Sequence, residues 1–91
     1  MKFCVEVGIK EHHLVEFAFS QLLGQLQIRV DNKEVKSHVR FINEPLTEIH
    51  TIHVGDCERI DVRFEKERIS TFSQKCRVFV NDRLYKCFEG T

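Results

Sequence analysis

The sequence predicts an all-β fold, an antiparallel β-sandwich of about eight strands, from three observations. Apolar and polar residues alternate along most of the chain, which is the period of a half-buried strand. Turn-forming residues separate these runs at a spacing of roughly ten residues, as sandwiches and barrels require. The length of 91 residues allows one core, so residues 1–91 are predicted to form a single domain.

The alternation places the strands in order along the chain. They are expected to cover about residues 3–9, 14–19, 25–30, 34–41, 48–54, 59–65, 76–80 and 83–88. A break is expected at Asn43-Glu44-Pro45, where proline would interrupt a ladder of hydrogen bonds. Residues 66–71 are mostly charged and polar, which predicts a loop.

A helix is the alternative for residues 10–24. Leu14, Phe17, Ala18, Gln21 and Leu22 would form an apolar stripe at helical spacing. The bulky side chains at alternate positions in the same segment favour a strand instead.

Two turns are alike in sequence, Val30-Asp31-Asn32-Lys33 and Val80-Asn81-Asp82-Arg83. Asn and Asp tolerate the positive φ that both central residues of a type I′ hairpin turn need. The likeness indicates either an internal repeat or the same turn chemistry used twice, and the second interpretation is the simpler. The second turn predicts a register that pairs Val80 with Arg83, Phe79 with Leu84 and Val78 with Tyr85. The same register would place Cys76 opposite Cys87, as two neighbouring reduced thiols.

The charge balance limits the partners of the chain. Fourteen basic and fourteen acidic side chains give a formal net charge of zero, whereas nucleic-acid and anionic-membrane binders usually carry a basic excess. Glu6 and Gly8 interrupt any signal-peptide stretch, and no apolar run approaches the roughly 20 residues of a membrane span. We therefore expect the chain to bind neither nucleic acid nor a membrane. We also expect a cytoplasmic protein whose cysteines are reduced.

Catalytic, cofactor-binding and metal-ligating residues are not predicted, and we expect a protein that is not an enzyme. His50 and His53 lie three apart, so on a strand they point to opposite faces and cannot share a metal. The sequence has no CxxC pair, HExxH motif or GxSxG elbow, and its four glycines do not cluster into a phosphate-binding loop.

The last hairpin carries apolar side chains on both predicted faces. Phe79, Leu84 and Phe88 would share one face, with charged residues around them. An outward apolar face of this kind suits a protein contact, with an unidentified protein or a second copy of the chain. The structural alternative is that the end of the chain covers these side chains, or that the strand is central and both of its faces are buried. The alternative functions are a small-ligand binder or enzyme using a cleft between the sheets, with His50 or His53 as a polar anchor, and a structural module of a larger assembly.

Several short motifs also occur in a familiar order. They are Val15-Glu16-Phe17, Gly24 followed by Ile28-Arg29-Val30-Asp31-Asn32-Lys33-Glu34, Phe41, His53-Val54-Gly55, and Val78-Phe79-Val80-Asn81-Asp82-Arg83. Their order and spacing resemble the domain of the Fas apoptotic inhibitory molecule family. The resemblance implies an eight-stranded antiparallel β-sandwich in the cytosol, without catalysis or cofactor. It also implies work through protein contacts, linked in animals to protection against cell death and protein aggregation. The chain departs from the family in having one domain, no tryptophan and no glycine in its two hairpin turns.

Overall fold

A computed structural model describes residues 1–20, 23–39 and 46–90 of the chain. Over these ranges it contains eight antiparallel strands and no helix. The strands are β1 (Lys2–Val7), β2 (His13–Ser20), β3 (Gln25–Val30), β4 (Lys33–Val39), β5 (Thr47–Val54), β6 (Ile60–Ser70), β7 (Ser73–Val80) and β8 (Arg83–Gly90). The all-β prediction is confirmed, and the helical alternative is wrong for residues 13–20. The expected break at Asn43-Glu44-Pro45 and the predicted strand end at Phe41 lie outside the described residues.

Strand β6 shows one clear error of the sequence prediction. It continues through Lys66 to Ser70, and β7 already begins at Ser73, where a loop and a later start were expected. The alternation persists in this segment, but lysine and glutamine occupy two of its inward positions. Lys66 and Gln74 are both fully buried, so a rule that equates inward positions with apolar residues fails here.

The strands form two sheets, each a simple meander. The first has the order β1-β2-β3-β4 and the second the order β5-β6-β7-β8. Their inward side chains meet face to face, with the Phe17 and Phe64 rings 5.1 Å apart at the centre and the Phe3 and Phe88 rings 4.0 Å apart at one edge. The packing is that of a sandwich, in which β1 lies beside β8 across the core.

Both predicted hairpin turns have the expected backbone. Asp31 and Asn32 have φ of 51° and 68°, and Asn81 and Asp82 have φ of 49° and 65°, as type I′ turns require. The pairings of Val80 with Arg83 and of Phe79 with Leu84 are confirmed.

Beyond Leu84 the predicted register is wrong. A β-bulge makes Tyr85 an extra residue, so Val78 pairs with Lys86, Arg77 with Cys87, and Cys76 with Phe88. One extra residue moves every later side chain to the opposite face. Cys76 is therefore buried while Cys87 is exposed, and the expected pairing of the two thiols does not occur.

The two sheets repeat each other in register. Phe17 lies between Phe3 and Ile28 in the first sheet, as Phe64 lies between His50 and Val78 in the second. The bulge after the second turn also has a counterpart, a register shift between Ile28 and Arg29. The two similar turns therefore belong to an internal structural repeat, which the simpler interpretation of the sequence did not include.

The repeat also joins the two sheets at one end through a pair of interlocked loops. The Glu11 carboxylate accepts hydrogen bonds from the amides of residues 56, 57 and 58 at 3.1, 2.6 and 3.1 Å. The Glu58 carboxylate accepts hydrogen bonds from the amides of residues 9, 10 and 11 at 2.8, 2.9 and 3.3 Å. Gly8 and Gly55 begin these loops with φ of 105° and 97°, and a Cβ at Gly55 would lie 2.0 Å from the Glu58 carbonyl oxygen. Glycine is thus required where each loop leaves its strand.

Candidate functional site

The internal repeat shows where the two halves of the core differ. Most equivalent inward positions are apolar in both, as at Phe17 and Phe64. At four pairs of equivalent positions the chemistry changes from apolar to polar. The pairs, read from the matching registers, are Met1 and Glu48, Phe3 and His50, Phe19 and Lys66, and Phe88 and His38.

The polar residues come together between β4, β5, β6 and β7. We call His38, Glu48, His50, Lys66 and Gln74 the polar cluster. Nε2 of His38 lies 3.6 Å from Oε1 of Glu48, and Nε2 of His50 lies 3.9 Å from its Oε2. The Lys66 Nζ atom is 3.6 Å from the same Oε2 and donates a hydrogen bond to Oε1 of Gln74 at 3.4 Å. The two imidazole rings are 5.2 Å apart, at the lateral edge of the sandwich opposite the Phe3–Phe88 stack.

Burial makes this cluster unusual. The Lys66 side chain is fully buried, and Glu48 and His50 are nearly so. Burial removes hydration from the Lys66 ammonium and the Glu48 carboxylate, and the attraction between these two charges must offset that cost. Lys66 gains further stabilisation from the Phe19 ring, whose centre lies 4.0 Å from the ammonium.

His38 is the most accessible residue of the cluster. Its side chain is 24% exposed, whereas that of Glu48 is 4% exposed. It lies on the edge strand β4 and faces β5 of the other sheet. Among the side chains of the polar cluster, the His38 imidazole is therefore the one that is most open to solvent.

The histidine prediction from the sequence is confirmed in its geometry but was incomplete. His50 is buried and His53 is exposed beside Asp61, so they lie on opposite faces of β5. Glu48 and His38 are not among the residues that the sequence pattern singles out. Alternation places Glu48 on the inward face with His50, which is a signal available in the sequence. The approach of His38 depends on how the two sheets pack, and alternation alone cannot reveal it.

The predicted contact residues do not share one face. Phe79 and Leu84 are cross-strand neighbours on the outer face of the second sheet, where the Arg63 guanidinium lies 4.4 Å from the centre of the Phe79 ring. Phe88 lies on the inner face and stacks on Phe3, because the bulge shifts it by one position. The role of Phe79 and Leu84 in a protein contact stays a prediction.

Another cluster of charged groups connects the loops to the first hairpin turn. Nδ1 of His13 lies 2.5 Å from Oδ2 of Asp31, and its Nε2 lies 2.7 Å from Oε2 of Glu11. The hydrogen bond to Asp31, followed by that to Glu11, raises the pKa of His13. The amide of Asp56, the His13 ring and two further amides lower the pKa of Glu11 to about 2. These contacts account for the cluster as a structural clasp.

Comparisons of the chain with protein-family models, with curated proteins and with solved structures find no match. The resemblance to the Fas apoptotic inhibitory molecule family therefore stays a prediction. In the part of the chain that the structure describes, no helix is long and apolar enough to cross a membrane.

Proposed function

We propose that this chain is a non-enzymatic domain that binds protein through the hairpin patch, formed by Phe79, Leu84 and the neighbouring Arg63. The observation that carries the proposal is the exposure of Leu84, 60% of whose surface is open to solvent although it adjoins an aromatic ring. Apolar side chains with a charged rim are typical of the centre of a protein contact.

The edge strand β8 supports the same proposal. It is the last strand of its sheet, so one side of its backbone can pair with another strand. Arg83 and Lys86 lie on this strand, and charged residues on an edge discourage indiscriminate pairing. Arg83 and Lys86 therefore favour a selective contact over general aggregation.

The partner that we propose is a second copy of the chain. Two β8 strands can pair antiparallel across a two-fold axis, which brings the two hairpin patches close to each other. The formal net charge of zero means that copies do not repel one another over long distances.

The experiment is analytical ultracentrifugation of the wild type and of Phe79→Ser with Leu84→Ser over a range of concentrations. We expect a concentration-dependent dimer that this variant loses. Ile49→Ser is the matched control, because Ile49 is equally exposed on the outer face of the same sheet but on the opposite edge strand. Thermal unfolding shows whether each variant folds. A wild type that stays monomeric to about 1 mM, or a dimer that survives in the folded double variant, would contradict the proposal.

The family resemblance supports a cytoplasmic protein-contact domain, because it implies work through protein contacts in the cytosol. Burial raises the pKa of the Cys76 thiol to about 12, which makes this one residue a poor nucleophile.

The second candidate function is binding of a small ligand between the sheets. The polar cluster is the specific observation that favours it, because it places the His50 imidazole and the Glu48 carboxylate behind the partly exposed side chain of His38.

A further inference from the structure

The geometry points to a binding site for a divalent transition-metal ion, with Zn²⁺ as the reference ion, formed by His38, Glu48 and His50. One ring nitrogen of each histidine and one carboxylate oxygen lie within 4.8 Å of one another. The inference goes beyond the protein-contact function and gives a definite ligand to the second candidate.

The separations between the donor atoms suit a small ion. Zinc–nitrogen and zinc–oxygen bonds of about 2.0–2.2 Å in a tetrahedron place neighbouring donor atoms roughly 3.3–3.6 Å apart. The imidazole nitrogens lie 3.6 and 3.9 Å from the two carboxylate oxygens of Glu48. Small rotations of the side chains are enough to bring these donors around an ion.

The donor set matches the chemistry of transition metals. Two imidazoles and one carboxylate are the protein ligands of several zinc sites and of non-haem iron sites. Three protein ligands leave a fourth position open for solvent or another ligand. The partial exposure of His38 provides the entry path, and the burial of Glu48 and His50 keeps competing water away from the other donors.

The repeat shows that the fold does not need polar groups at these positions. At the opposite edge of the sandwich, Phe3 and Phe88 occupy the places that are equivalent to those of His50 and His38, and their rings stack at 4.0 Å. Replacing such apolar packing with buried polar groups costs stability. Metal binding gives the polar set a purpose that packing does not.

Lys66 sets the conditions under which the ion binds. Its ammonium lies 3.6 Å from Oε2 of Glu48 and would compete with the metal for that carboxylate. When the metal takes the carboxylate, Lys66 keeps its contacts with Gln74 and with the Phe19 ring. Two positive charges in one buried cluster repel each other, so Lys66→Met should tighten metal binding on the order of tenfold or more.

The test is a calorimetric titration with Zn²⁺ and an absorption titration with Co²⁺, each using the metal salt alone. Cys4, Cys57 and Cys87 are exposed thiols, so all proteins carry serine at these positions to remove unrelated metal ligands. We expect one equivalent of metal to bind, and His38→Gln and Glu48→Gln to weaken binding by about 100-fold or more. His53→Gln is the matched control, since His53 is exposed and bonded to Asp61 on the outer face. It should bind as the parent does.

His38→Gln is the decisive variant, because His38 is partly exposed and its replacement should leave the fold intact. Urea unfolding verifies this for each variant. A parent that binds neither ion at about 1 mM would overturn the proposal. Binding that is unchanged in folded His38→Gln would also overturn it. The state of association of the chain does not enter these readouts, so they fail or succeed independently of the hairpin patch.

Discussion

The buried pair of Lys66 and Glu48 provides the sharpest test of how the polar cluster contributes to folding. Replacing only the acid, in Glu48→Met, removes the carboxylate 3.6 Å from the Lys66 ammonium and leaves that charge buried beside Gln74 and the Phe19 ring. Loss of one partner of a buried pair costs about 3–5 kcal/mol. In a domain of this size, each 1 kcal/mol lowers the melting temperature by about 4–8 °C.

The double variant Glu48→Met with Lys66→Met should behave in the opposite way. It removes both charges and restores the apolar character that Met1 and Phe19 have at the equivalent positions. Replacement of a buried ion pair by apolar residues of similar volume is neutral or stabilising by about 1–4 kcal/mol. The large loss in the single variant should therefore be fully recovered in the double variant.

Urea unfolding at pH 7 with a chelator present measures both free energies of unfolding. The matched control is the exposed pair of Arg77 and Glu67, 3.2 Å apart, replaced singly and together by methionine. Those changes should each alter stability by no more than about 1 kcal/mol. Either of two results would contradict this expectation: a double variant more than about 1 kcal/mol less stable than the wild type, or a single Glu48→Met variant with undiminished stability.

Three further predictions concern the loops and the bulge. Gly55→Ala should lower the free energy of unfolding, measured with urea, by at least about 2 kcal/mol, because Gly55 has a positive φ and a Cβ there would collide with the backbone of Glu58. Gly90→Ala is the control and should change little, because the space around Gly90 is open. The pKa of His13 is raised by folding, so His13 stabilises the fold below pH 6.5, its pKa in the unfolded chain, and this effect is lost as the pH rises through the folded-state pKa. The pKa of Glu11 is lowered to about 2, so Glu11 stabilises the fold above pH 4.5, its pKa in the unfolded chain, and this effect is lost as the pH falls towards 2. Urea midpoints should thus decline on both sides of this window, and His13→Gln should flatten the alkaline side; an unchanged alkaline side would count against the clasp. Buried Cys76 should react with a thiol reagent far more slowly than the exposed cysteines and should form no disulfide under mild oxidation, which mass spectrometry can disprove.

Local alternation was sufficient to predict most of the fold. It predicted strands such as β1, β3 and β5 because buried residues alternate with more exposed ones along each of them. Examples of the buried residues are Val5, Ile28 and Ile52. The two turns were predictable because Asn and Asp are the residues that accept positive φ most readily after glycine. Both signals depend on residues close together in sequence.

The errors arise where long-range structure decides the outcome. Lys66 looked like a loop residue because its buried charge is made tolerable by residues far away in sequence, Glu48 on the neighbouring strand β5 and Phe19 across the core. The bulge at Tyr85 carried no clear mark in the sequence, and it moved Phe88 from the predicted contact face into the core. Tyr85 itself donates a hydrogen bond to the Glu6 carbonyl of β1, a contact between opposite sheets that local patterns cannot show.

The candidate site was partly within reach of the sequence. Val7-Gly8 followed by Glu11, and Val54-Gly55 followed by Glu58, repeat one pattern, and aligning the halves on it places His50 opposite Phe3. That comparison would have identified the change from apolar to polar residues in the second half. It would not have revealed the pairing of His38 with His50, because the two residues belong to edge strands of different sheets.

Side-chain nuclear Overhauser contacts in solution test most directly the claim that the fold is a repeat with one aromatic edge and one polar edge. We expect contacts between the rings of Phe3 and Phe88 and between those of His38 and His50. We also expect a contact between Cys76 and Phe88 across β7 and β8. Absence of the contact between the two histidines, or a cross-strand contact of Cys76 with Cys87 in its place, would contradict it.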